Sequence, residues 1–285
     1  MPFLNSPKQP IHTLGIGVFD GMHRGHQAIA SLCDALLTFY PHPDWVLGKN
    51  KTLKLLTTPA ERRHYFPHSI SARFTRKLAS LSAEEFLHAI IETHLSPKRI
   101  VVGYDFAFGY KKQGSVAFLK EWASSRGIDV VEIPPITYQG KTVRSAWIRE
   151  ALQTGQFDTA IACLDHSYLM MGTVISGEGR GRTIGFPTAN LKVSRHKLIP
   201  ASGVYSGTVT LQNSSYPAMI YIGKKPTFGG TTQTLEVHLL DFSGHLYGKQ
   251  LQVHFTQKIR GELKFESIEA LTNQIRADIE SARIL

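Results

Sequence analysis

The sequence predicts two domains of different class: a doubly wound parallel α/β domain over residues 1–165, then a small antiparallel β-barrel over 166–285 that ends in a helix. Three observations carry this. From residue 11 to about 165, short apolar runs alternate with stretches of helical spacing, the order that builds a parallel sheet. From Met170 onward, the pattern changes to short strands joined by glycine turns. Phe265 to Leu285 then returns to helical spacing, with Ile268, Leu271, Ile275 and Ile279 as its apolar stripe.

Composition narrows the class. A chain of 285 residues has room for two ordinary domains, and 42% hydrophobic with 19% charged residues fits a soluble globular protein. No apolar run reaches about 18 residues, so no membrane span is expected. The start, Met1 to Pro10, has no charged segment followed by an apolar core and does not read as a signal peptide. Cys33 and Cys163 are too few for a disulfide scaffold, which favours a reducing cytoplasm. The net charge of +10 attracts phosphates, whether of nucleic acid or of small anionic ligands. The basic residues are scattered and carry no RNA-binding signature.

In the first half, Leu14, Ile16 and Val18 alternate with small residues, as in a short buried strand. Phe19-Asp20-Gly21 breaks that strand, and Gln27 to Leu37 has apolar spacing that suits a helix. His23 and His26 therefore fall on one face of a helix start, where backbone N–H groups and the macrodipole favour an anion. Gly21 and Gly25 allow a ligand close to the backbone. Two imidazoles there make a phosphate clamp or half a metal site. No Cys or carboxylate stands at ligand spacing beside them, which favours the clamp. Gly15, Phe19, Asp20 and Gly21 belong to the same candidate nucleotide site.

Leu36 to Tyr40 reads as a strand that ends in a proline-fixed turn bearing His42. Gly48 to Lys54 is a polar, basic loop, and Ala60 to Ile70 shows no decisive period. Ser82 opens a helix with Glu85 completing a capping box, and Phe86, Ile90 and Ile91 give its apolar face. Arg99 to Gly103 is a second strand, with Asp105 at the end where parallel sheets hold ligands; an Asx turn is the alternative. Val116 to Arg126 reads as a helix, Asp129 to Ile133 as a strand, and Arg144 begins a helix that carries Ser145 and Arg149. Gly155 to Leu164 is a short connecting helix.

In the second half, strands are expected at Gly172–Ile175, Gly203–Leu211, Tyr216–Ile222, Gln233–Leu240 and Gln250–Phe255. Between the first two lies the most specific stretch. Gly177, Gly179 and Gly181 allow a loop whose N–H groups turn onto phosphates, with Arg182 beside them. Pro187 holds the chain extended, so Thr188 and Asn190 project to one side. A hydroxyl and an amide carbonyl side by side suit a magnesium ion already held by ATP phosphates. A surface turn explains the glycines but not the whole string.

Gly17 to His26, as Gly-x-Phe-Asp-Gly-x-His-x-Gly-His, resembles the nucleotidylyl transferase signature. It is closest to that of the bacterial bifunctional riboflavin kinase/FMN adenylyltransferases, or FAD synthetases. Phe39-x-Pro-His-Pro43 and Val102-Gly-x-Asp-Phe-x-Phe-Gly109 extend the likeness, and Gly181 to Asn190 matches the flavokinase string without a gap. The resemblance implies a Rossmann-like domain and a flavokinase barrel. It also implies two reactions: phosphorylation of riboflavin by ATP to FMN, then adenylylation of FMN to FAD with release of pyrophosphate. It places His42 near the nucleotide, Asp105 near adenine and ribose, and Arg73 to Lys77 on the flavin side. Ser145 and Arg149 join the histidines on the triphosphate, and Glu236 of Glu-x-His is the base for the riboflavin hydroxyl. Magnesium is the expected cofactor, and small molecules rather than nucleic acid or membrane are the expected partners. The chain departs from the family in having Arg144 where a serine is expected and Ala146 where a threonine is expected. Two rival readings follow: a kinase whose adenylyltransferase half has decayed, and a basic RNA-binding protein on the same scaffold.

Overall fold

A computed structural model describes residues 10–177, 179–227 and 230–284. Its N-terminal part holds five parallel strands: β1 (Thr13–Ile16), β2 (Ala35–Tyr40), β3 (Ser69–Arg73), β4 (Arg99–Gly103) and β5 (Asp129–Ile133). Their order is β3-β2-β1-β4-β5. Leu14, Leu36, Leu37, Ile100, Val101 and Val102 are fully buried, the continuous apolar run of strands covered on both faces. The helices are α1 (Arg24–Ala30), α2 (Pro43–Val46), α3 (Pro59–Tyr65), α4 (Arg76–Ala79), α5 (Ala83–Phe86) and α6 (Val116–Ser124). A two-stranded ribbon, β6 (Thr137–Tyr138) and β7 (Lys141–Thr142), precedes α7 (Ser145–Thr154) and α8 (Phe157–Leu164).

Local chemistry explains the boundaries. The expected capping box at Ser82 is present, with Glu85 reaching back to the Ser82 N–H, and the helix continues as a wider π turn over Leu87–Leu95. Pro59–Tyr65, where the sequence shows no clear period, is a helix opened by a second capping box between Thr58 and Glu61. The expected helix to Leu37 stops at Ala30. The carboxylate of Asp34 accepts from the N–H groups of His12 (3.0 Å) and Thr13 (2.7 Å), and Ala35 already belongs to the sheet.

The C-terminal part is a closed barrel of β8 (Tyr168–Ile175), β9 (Ala189–Val193), β10 (Gly203–Leu211), β11 (Ser214–Thr227), β12 (Gly230–Leu239) and β13 (Gln250–Arg260). The short helical turn α9 (Arg180–Thr183) lies between β8 and β9, and α10 (Ile268–Ile284) ends the chain. All barrel pairings are antiparallel, in the order β10-β11-β12-β9-β8-β13. Tyr205, Ile220, Val237, Val253 and Phe255 form its fully buried centre. By internal contacts the chain divides at Ser145/Ala146 into two compact units. Phe157 of α8 stands edge-on to Tyr205 with ring centroids 5.0 Å apart, so α8 packs with the barrel.

Helix α10 lays Ile275, Ile279 and Ala282 on Val204, Met219 and Leu240. Ile268, expected in that stripe, is 70% exposed, because it stands at the first residue of the helix, outside that contact patch. A charged clasp fixes the helix instead. Arg260 Nε donates to both carboxylate oxygens of the buried Asp278 (2.9 and 3.1 Å), and Nη2 adds a bond of 2.7 Å. Removing Arg260 leaves the buried Asp278 carboxylate without its counter-charge. Arg260→Ala is therefore expected to destabilise the barrel unit by about 3 kcal/mol, read as a lowered midpoint in thermal unfolding. An unchanged midpoint would show that the clasp contributes nothing.

Candidate active sites

In the parallel sheet, β1 and β4 are neighbours whose connections leave toward opposite sides, and ligands bind at such a switch point. The segment leaving β1 is held in an unusual conformation. Phe19 (φ 52°) and Met22 (φ 46°) are left-handed although neither is glycine, and both are buried. Such residues persist only where the surroundings over-determine them. Here the surroundings are the buried carboxylate of Asp20, which accepts from the N–H groups of Leu56 (3.2 Å) and Thr57 (2.9 Å). The Gly21 N–H donates in turn to Thr57 Oγ1 (2.9 Å). Burial pulls the pKa of the neighbouring Arg62 guanidinium down, and the charge of Asp20 acts against that.

His23 is the N-cap of α1 and His26 lies in its first turn. Their rings stack, with centroids 3.6 Å apart and planes 20° from parallel, and Phe19 meets His26 edge-on. A Cβ at Gly25 would come within 3.3 Å of the His23 ring, so glycine leaves room for the stack. The two histidines line a cleft of about 210 Å³ together with Asp105, Tyr104, Arg144, Ser145 and the chain leaving β5. A larger apolar groove of about 600 Å³ shares His26 and Asp105 with it and is walled by Phe19, Phe39, Phe74, Phe86, Phe106 and Phe108.

The structure gives other predicted residues different surroundings. Ser145 lines the cleft, but its hydroxyl donates to the Asp20 carbonyl (2.7 Å). Gly15 is a packing position, because a Cβ there would meet Leu36 Cδ2 at 2.5 Å. His42 caps α2, its Nδ1 accepting from the Asp44 N–H (3.1 Å), and lines neither cavity. Arg149 lies on α7 in the second unit and is not among the lining residues of either cavity. Sequence reasoning missed Tyr104 and the Pro134-Pro135 pair. Their only signal is their place just past the ends of β4 and β5.

On the barrel, Leu235, Val237 and Leu239 point inward, and the half-buried Glu236 faces out, as the alternation predicts. The register sets Glu236 opposite Asn190 of β9 on one side and Tyr221 of β11 on the other. Thr188 Oγ1 donates to Glu236 Oε2 (2.9 Å). Thr188, Asn190 and Glu236 thus converge. Tyr221 donates to Glu262 Oε1 (3.2 Å). Burial first, then the charges of Glu262 and Glu236, raises the pKa of its phenol, so Tyr221 remains a donor.

The glycine loop is more ordered than an open nest. Gly179 (φ 70°) starts the turn α9, and the Gly181 carbonyl accepts from the Phe186 N–H (2.8 Å). Glu178 lies outside the described residues. A Cβ at Gly177 would collide with the Asn190 amide, and one at Gly181 with the Phe186 carbonyl. Arg182, Pro187 and Thr188 line a groove of about 360 Å³ with the loop from Phe242 to Tyr247, a wall that strand periodicity alone does not reveal. Among the described residues, no group of three or more His, Cys, Asp or Glu side chains is placed to hold a metal.

The two units thus carry separate candidate sites, a cleft at a parallel-sheet switch point and a groove on a barrel face. The FAD synthetase family matches residues 6–147 and the riboflavin kinase family matches residues 164–285. The bifunctional riboflavin kinase/FMN adenylyltransferase of Haemophilus influenzae is 36% identical, over 95% of this chain and 92% of that protein. The proteins of the same name from Bacillus subtilis (34% identity, 96% and 92% covered) and Escherichia coli K12 (35%, 95% and 91%) are similar. A crystal structure described as a macrolide-efflux protein from Streptococcus pneumoniae shares the fold at a TM-score of 0.88 and 31% identity, covering 98% of this chain and 96% of that one. The chain belongs to the bifunctional riboflavin kinase/FMN adenylyltransferase family. Among the described residues, no helix is long and apolar enough to cross a membrane. Both family matches run through their domains, so a decayed adenylyltransferase half finds no support.

The glycine loop generates a test. In Gly177→Ala the new methyl must displace the Asn190 amide from its place beside Glu236. FMN formation is expected to fall while the unfolding midpoint stays close to wild type, because the amide is the end of a flexible side chain. Full kinase activity in the folded variant would show that the Asn190 position is not used.

Proposed function

We propose that the chain makes FAD from riboflavin in two steps, with residues 166–285 acting as riboflavin kinase and residues 1–165 as FMN adenylyltransferase. The observation that carries the kinase reading is the convergence of Glu236, Thr188 and Asn190. Glu236 removes the proton of the riboflavin 5′-hydroxyl as the hydroxyl oxygen attacks the γ-phosphorus of ATP, the bond to the β,γ-bridging oxygen breaks and ADP leaves with its electron pair. Thr188 holds the carboxylate in place through its hydroxyl. Phosphoryl transfer needs little covalent help, so positioning and charge neutralisation do most of the work. The Arg182 and Thr188 groove is the place for the ATP phosphates.

The donor set fits magnesium. Thr188 and Asn190 offer neutral oxygens beside one carboxylate, the arrangement for an ion that keeps waters and shares substrate phosphates. Bound there with ATP, the ion would draw charge from the phosphate being transferred.

For the second step, the smaller cleft takes ATP and the aromatic groove takes the flavin ring of FMN. Phe74, in the segment expected on the flavin side, is one of its walls. The FMN phosphate is already a nucleophile, so no base is required. His23 and His26 stabilise charge at the α-phosphate. ATP and FMN are small anions, which suit a net charge of +10 without nucleic acid. A chain with two cysteines and this metabolism belongs in the cytoplasm.

Incubation with riboflavin, ATP and magnesium, following FMN and FAD separately, tests the whole reading. Glu236→Gln is expected to lower FMN formation about a hundredfold or more and to leave FAD formation from supplied FMN intact. His26→Ala should show the opposite split. Retention of most kinase activity in Glu236→Gln rules Glu236 out as the base.

A further inference from the structure

We propose that Arg144, oriented by Tyr104, binds the pyrophosphate end of ATP and stabilises it as it leaves. The proposal rests on reading the smaller cleft as the adenylyl-transfer site. Among the described residues that line this cleft, Arg144 is the one side chain with a permanent positive charge. Its Nη2 donates to the Tyr104 hydroxyl at 2.6 Å, and Tyr104 lines the same cleft. That bond fixes the direction of the guanidinium and uses one of five N–H donors, leaving the others for phosphate oxygens.

The other polar groups of the cleft do not fill this role. Ser145 gives its hydrogen to the Asp20 carbonyl, and Ala146 carries no hydroxyl. Asp105, which also faces the cleft and whose charge acts on Arg144, would repel phosphate. The histidines lie together in one stack at the start of α1. In the reaction, a phosphate oxygen of FMN forms a bond to the α-phosphorus. The bond from that phosphorus to the bridging oxygen breaks, and its electron pair leaves with pyrophosphate. No proton moves. The new negative charge appears on the leaving group, where preorganised donors act most strongly.

The test uses the full-length protein with FMN, ATP and magnesium. Arg144→Ser is expected to lower kcat/KM for ATP in FAD formation by about ten- to a hundredfold, the worth of one charged hydrogen bond. Inhibition by added pyrophosphate should weaken by a similar factor, while KM for FMN and the rate of FMN formation from riboflavin stay at wild-type values. Tyr104→Phe should shift the same two quantities in the same direction, by less. Quenching of FMN fluorescence at wild-type affinity reports a folded domain. If the serine variant fails that check, Arg144→Lys, which keeps the charge without the planar fork, is measured in its place and is expected to fall between the two. Unchanged pyrophosphate inhibition and unchanged kcat/KM for ATP in a variant that binds FMN overturn the proposal. Absence of FAD from the wild type instead overturns the reading on which it rests.

Discussion

The cleft lined by His23 and His26 depends on one buried carboxylate. Asp20 receives the N–H groups of Leu56 and Thr57 on its side chain and the Ser145 hydroxyl on its carbonyl. One residue thereby joins the segment after β1, the approach to α3 and the start of α7. A carboxylate removed from water is costly unless its bonds are made, so the segment after β1 and the approach to α3 assemble together, and the start of α7 docks on the backbone carbonyl of the same residue. The same bonds hold Phe19 and Met22 in backbone conformations they would otherwise avoid, and Phe19 in turn supports the edge of His26.

On the barrel the corresponding constraint is register. Glu236 meets Asn190 and Tyr221 because Leu235 and Val237 must face the interior. A slip of one residue would bury the carboxylate and expose Val237. The core and the cluster of Glu236, Thr188 and Asn190 are thus specified by the same alternation, and neither can shift without the other. The closed sheet adds a second restraint, since β12 is bonded on both sides, to β9 and to β11.

Much of this was legible in the sequence because it is local. Strand and helix alternation, the Ser82 capping box, the spacing of His23 and His26, and the outward position of Glu236 all follow from residues within a few positions of one another. What the sequence concealed depends on contacts between distant segments. Asp20 reads as a ligand-facing acid, but residues 36 and 37 positions away occupy its carboxylate. Helix α1 ends early because Asp34 turns back to bond the chain before β1, which no helical periodicity records. Tyr104 is an unremarked letter inside a motif until Arg144 arrives from 40 positions away. Ile268 fits an apolar stripe by spacing, although the helix meets the barrel only further along.

The order of the parallel sheet has a consequence during synthesis. β1 lies at its centre but emerges first, and its second neighbour, β4, begins only at Arg99. Until that point Leu14 and Ile16 belong to an unpaired apolar edge, the kind of surface that recruits foreign strands. The barrel closes the long ladder of β10 with β11 across the short turn between Leu211 and Ser214 and carries no such delay there. A nascent or truncated chain that stops short of residue 99 is therefore the form of this protein most in need of a chaperone.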